Sequence, residues 1–106
     1  MRAPMDLHFS PAHVLADAVR SGSLSPVDLM DATLQRIAAL NPIVNAFVVL
    51  RSDAAIAEAR ALAERIARGE RPGPLAGLPL AVKDEEDVAG LPTTFGSIRT
   101  RCGTPT

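Results

Sequence analysis

A chain of 106 residues allows one modest domain, and its 47% hydrophobic and 22% charged residues make it a globular rather than a disordered sequence. Eleven basic and twelve acidic residues are interspersed to a net charge of −1, so no basic stripe follows a phosphate backbone and no nucleic-acid partner is expected. No apolar run approaches a membrane span, the first residues carry no signal-peptide core, and the lone Cys102 supplies neither an internal disulfide nor a metal site; the expectation is a cytoplasmic protein without a cofactor.

With three Phe, no Trp and no Tyr, the core must be built from small aliphatic side chains, which favours helices. The spacing predicts three of them. Over residues 11–21, Ser10 is placed to cap, Pro11 to open, and Val14, Leu15, Ala18 and Val19 to share a face that Gly22 closes. Over 26–40, Ser25 caps, Pro26 opens and Asp28 stands near the positive end of the helix dipole. Val27, Met30, Leu34, Ile37 and Ala38 form its stripe, and Asn41-Pro42 stops it. Residues 43–50, IVNAFVVL, read as an extended segment or short strand. Over 53–68, Ile56, Ala59, Leu62, Ala63 and Ile66 make an apolar face, and Gly69 caps the end.

After Gly69 the grammar changes. ERPGPLAG is a Pro/Gly connector, and it divides a helical arm, 1–72, from a different kind of segment, 73–106. Within the latter, 78–83 (LPLAVK) reads as a buried strand, followed by a loop bearing Thr93, Thr94 and Ser97. One strand makes no sheet, so the sequence reads as helices plus the first strand of a larger α/β protein.

Lys83, at the end of that run, is the only lysine; the other ten basic residues are arginine. Alternation puts it on the face of Pro79 and Ala81, at the carboxyl end of the strand, where catalytic groups of open α/β sheets collect. A lysine drawn out of water there loses its charge more readily and takes or relays a proton. The competing reading is a solvated side chain paired with Asp84, Glu85 or Glu86; alternation returns Glu85 to the lysine's side and Asp84 to the other. His8 and His13 have no partners at ligand or base spacing and are expected at the surface, and Cys102 is read as a bystander.

The order Gly73-Pro74-Leu75, Gly77, Pro79, Lys83-Asp84, Gly90, Pro92-Thr93-Thr94, Gly96-Ser97 resembles the opening of the catalytic core of the amidase signature family. The likeness extends upstream through SPVDLMDATLQRIAALNPIVNAFV, covering about residues 10–98. It implies an α/β/α mixed-sheet fold, here incomplete, and hydrolysis or transfer at amide C–N bonds. It implies that Lys83 is the catalytic lysine of a serine–cis-serine–lysine relay acting through an acyl-enzyme. It implies, too, a small-molecule amide substrate and the rest of the amidase core as partner, in the same or a second chain.

Two departures stand out. The Gly/Ser-rich stretch that holds both family serines has no counterpart here, and Ser97 is the only serine after Lys83. Ser97 and the two threonines are read as loop hydroxyls bonding local backbone. Glu85-Glu86 also departs from the polar or apolar pair of many relatives. The leading expectation is therefore the N-terminal part of an amidase, inactive alone. Its rivals are a non-catalytic truncated segment that packs as a small helical module or meets a partner, a homo-oligomer among the options, through its exposed arm, and a chain of the kind that forms the A component of aminoacyl-tRNA amidotransferase.

Overall fold

The computed structural model describes residues 5–97; Cys102 lies outside them. Three helices are present among these residues: α1 (Ala12–Ser21), α2 (Pro26–Val44) and α3 (Ser52–Ala67). The described residues divide into two compact units. One takes the chain up to Phe47 together with Arg51–Pro79, and the other takes Val48–Leu50 together with the chain from Leu80 onward.

The first unit is helical. α1 starts one residue later than the sequence suggests, and Pro11, not Ser10, occupies the cap position without any side-chain bond. Upstream, Asp6 ties the entry turn: its Oδ1 accepts the N–H of His8 (2.9 Å) and of Phe9 (3.1 Å), and its carbonyl accepts that of Ser10 (3.0 Å). The cap of α2 is as expected, with Ser25 Oγ accepting the Val27 N–H at 3.2 Å and Asp28 in the first turn.

The stop of α2 is not as expected. The helix runs through Pro42 to Val44, and Asn45, at φ 50°, ends it by returning its N–H to the Asn41 carbonyl at 2.7 Å. Pro42 removes one helical donor, but the turn it deprives, residues 38–40, is exposed, so the loss does not break the helix. Asparagine, which tolerates the left-handed region, supplies the true stop. Ile43 and Val44 are thus helical, and 45–50 carry no regular structure in place of the extended run expected there.

At the end of α3, the Gly69 N–H reaches the Ile66 carbonyl (3.0 Å) and the Glu70 N–H the Arg65 carbonyl (3.1 Å). This paired closure is the Schellman arrangement that Gly69 foretells. Leu15, Val19 and Leu29 form the buried centre, packed by Leu7, Leu24, Leu62, Ile66 and Leu78. α2 and α3 lie against one another. Leu29 stands in that centre although the expected stripe omits it; Val27, Met30, Leu34 and Ile37 are half-buried and Ala38 is exposed.

The connector returns to the helices at Gly77. Its φ is +81°, and a Cβ there would stand 2.9 Å from Val19 Cγ1 and 3.4 Å from Pro26 Cβ. Only glycine meets both the left-handed backbone and the close approach.

The described residues contain no β-strand, so the α/β expectation is not met within them. Residues 78–83 have no ladder partner among the described residues: the Leu78 N–H turns back to Leu75 (3.2 Å) and the Lys83 carbonyl accepts the Glu86 N–H (3.0 Å). A strand exists only through its neighbours, and none is supplied there. Leu80 is accordingly 86% exposed and Val82 49%.

Candidate functional site

The second unit holds the candidate Lys83. Lys83 opens a tight turn closed by the Glu86 N–H on its carbonyl at 3.0 Å. Its Nζ lies 3.1 Å from Glu85 Oε1, and its side chain is 77% exposed. Glu85 is thus the acid beside the lysine, brought there by a turn in place of the expected strand, and the expected withdrawal from water is absent among the described residues. A pair this open to solvent contributes little to stability.

Asp84 is the better-held acid. Its carboxylate accepts the Thr94 N–H (2.8 Å), the Thr94 hydroxyl and, more distantly, the Gly96 N–H (3.4 Å). Its backbone carbonyl accepts the Phe95 N–H at 2.9 Å. Phe95 (φ 52°) and Gly96 (φ 71°) are both left-handed, and the three successive amides of 94–96 all turn toward Asp84, two to its carboxylate and one to its carbonyl. The Thr94 hydroxyl above all, then the Thr94 amide, hold the Asp84 carboxyl below the usual carboxylate value against a smaller opposing effect of burial, with Gly96 adding slightly.

A second bond of the same kind joins Thr93 Oγ1 to Asp87 Oδ1 at 2.8 Å. Both threonines are buried. Their hydroxyls therefore bond carboxylates six and ten residues away, where local backbone bonds were expected. Ser97 closes a turn, its N–H on the Thr94 carbonyl at 2.8 Å.

Elsewhere, His8 and His13 are exposed, and Arg36 lies 5.4 Å over the Phe9 ring. Among the described residues no group of His, Cys, Asp and Glu is arranged to hold a metal, and no helix is long and apolar enough to cross a membrane. Lys83 is the candidate residue that the sequence indicated. Asp84 it did not indicate, because no local spacing announces a partner ten positions on.

Residues 28–102, which include Lys83, match the family model described as Amidase. The chain is 39% identical over 93 residues to the A component of the glutamyl-tRNA(Gln) amidotransferase of Carboxydothermus hydrogenoformans, covering 88% of this chain and 19% of that protein. It is 46% identical over 92 residues to the corresponding component from Acidothermus cellulolyticus (87% and 18%). It is 41% identical over 91 residues to an acylamidase of Rhodococcus erythropolis (86% and 19%). A solved structure, described as a vestigial protein complex that reveals the evolutionary origins of an s-triazine catabolic enzyme, superposes with a TM-score of 0.85 at 37% identity, over 92% of this chain and 21% of that one. The chain thus spans about a fifth of the length of the curated relatives it matches. Since the family model covers well over half of its residues, Lys83 and its loop among them, the chain belongs to the amidase family.

Proposed function

We infer that the chain is the N-terminal part of an amidase that cleaves amide C–N bonds, and that Lys83 is its proton carrier. In this reading neutral Lys83 takes a proton from a bridging serine, and that serine takes one from a nucleophilic serine. The nucleophile adds to the amide carbonyl, the relay returns a proton to the departing amine, and water releases the acyl group. Lysine suits the role because it is charged and discharged within a cycle, which arginine is not. Both serines and the acyl pocket would come from the rest of the amidase core, in the same or a separate chain.

The observation that carries the reading is the family match over 28–102, together with 41% identity to an acylamidase. The 77% exposure of Lys83 and its pairing with Glu85 support the corollary that this chain alone is inactive, since none of its described residues desolvates the amine. The test is hydrolysis of simple acylamides by the 106-residue chain and by a polypeptide that continues into a Gly/Ser-rich segment. The expected result is turnover by the longer polypeptide only, lost in both Lys83→Ala and Lys83→Arg. Robust hydrolysis by the short chain, or an active Lys83→Ala, overturns it.

The likeness to A components of glutamyl-tRNA(Gln) amidotransferases favours a second reading, in which the same relay liberates ammonia for transfer to an aminoacyl-tRNA. Product analysis separates the two: an amidated aminoacyl-tRNA for transfer, free acid and amine for hydrolysis.

A further inference from the structure

We propose that Asp84 is the positioning residue of the Lys83 segment: its carboxylate, bonded to Thr94 and Gly96, fixes the backbone from which the Lys83 side chain leaves. The proposal rests on the reading of Lys83 given above and gives a role to its neighbour, which acts through the backbone.

Two consecutive peptide planes are held. The Glu86 N–H on the Lys83 carbonyl (3.0 Å) holds the plane between residues 83 and 84. The Phe95 N–H on the Asp84 carbonyl (2.9 Å) holds the plane between 84 and 85. The carboxylate then anchors the same residue a third way, through the Thr94 amide at 2.8 Å, the Thr94 hydroxyl and the Gly96 amide at 3.4 Å. Thr94 is only 7% exposed, so the anchor is shielded on its loop side, and charge-assisted bonds of this kind are the stronger ones. Lys83 Cα sits at the edge of the first plane, so the clamp fixes the point on the backbone from which its side chain leaves.

A second effect concerns charge. The donors of Thr94 and Gly96 occupy Asp84, which leaves Glu85, at 3.1 Å, as the acid beside Lys83. The two adjacent acids thereby divide their work: one orients the backbone, the other faces the amine. A proton carrier must stand within hydrogen-bond reach of its hydroxyl partner, and a misplacement of about 1 Å costs about 100-fold in rate.

The single lysine makes the test direct, because a sample labelled in lysine gives one side-chain signal. In the 106-residue chain, Asp84→Ala and Thr94→Val are expected to shift the Lys83 Cε resonance. Both should also raise amide exchange at residues 94–96 by about tenfold or more, the loss of a bond to a charged group. Thr94→Ser, which keeps the hydroxyl, restores both readings, while amides of α1–α3 stay unchanged in every variant. An unmoved Lys83 signal in a helically intact Asp84→Ala chain overturns the proposal; should that variant fail to fold, an unmoved signal in Thr94→Val does so. In an active longer polypeptide, Asp84→Ala lowers kcat by about 100-fold with KM unchanged. An active Lys83→Ala would sink the relay reading and leave the spectral coupling of residues 84 and 83 standing, so the two failures are distinguishable.

Discussion

The side chain of Asn41 and the backbone of Phe47 bind each other reciprocally: the Phe47 N–H donates to Asn41 Oδ1 at 2.8 Å, and Asn41 Nδ2 donates to the Phe47 carbonyl at 3.0 Å. An amide side chain here imitates a strand neighbour and folds the chain back after α2. Asn41→Ala removes both bonds and is expected to cost about 1–2 kcal/mol. A fall in Tm of about 4–8 °C per kcal/mol, in a thermal melt followed by circular dichroism, is the check. Asn41→Asp should recover only the acceptor half.

Gly77 leaves no room for a methyl group, with Val19 Cγ1 at 2.9 Å from the Cβ position and a φ of +81°. Val19 is fully buried and cannot move aside cheaply. Gly77→Ala should therefore destabilise by about 2 kcal/mol, the sum of overpacking and a left-handed backbone. Gly73→Ala, where nothing stands within 4 Å, serves as the control and should be near neutral in the same denaturant melts.

Asp84 contributes to the acid dependence of stability, beside Asp6 and Glu70, whose carboxyls are also held low. Its folded-state carboxyl titrates below the ordinary value of 3.8, chiefly through the Thr94 hydroxyl and then the Thr94 amide. As pH falls through that ordinary value, the unfolded chain binds the proton first. The stabilisation is thus fully present above about pH 4, shrinks as pH drops and vanishes once the folded carboxyl is also protonated. Denaturant midpoints measured downward from pH 6 should show a steeper acid decline in the native chain than in Asp84→Asn.

Leu80 at 86%, Phe95 at 64% and Val82 at 49% exposure leave apolar surface in water, and the backbone around Leu80 has no ladder among the described residues. Such segments pair with whatever edge they meet. The isolated chain should associate with rising concentration in light scattering, and Leu80→Lys should weaken that association.

Local grammar was readable in the sequence; relations between distant residues were not. Ser25 and Gly69 act within three residues of themselves, and both cap as their types predict. Leu29 stands outside the expected stripe, and Thr33, one turn on, carries a hydroxyl on the same face. That hydroxyl is masked by a 2.8 Å bond to the Leu29 carbonyl, a bond only a folded helix forms. Pro42 suggested a stop although the real one is Asn45, since whether a helix survives proline depends on where the deprived turn faces. The expected strand at 78–83 failed for a different reason: the apolar run is there, but its ladder partners are not among the described residues. Lys83 was visible as an oddity of composition, whereas the Asp84–Thr94 bond spans ten residues with no periodic trace.

The openness of Lys83 also makes it a reporter. A side chain that water reaches over 77% of its surface is reachable by a small acylating reagent, and no second lysine competes for it. The adduct at Lys83, told apart from one at the α-amine by peptide mapping and followed with and without a candidate companion polypeptide, would register the moment anything comes to rest over that amine.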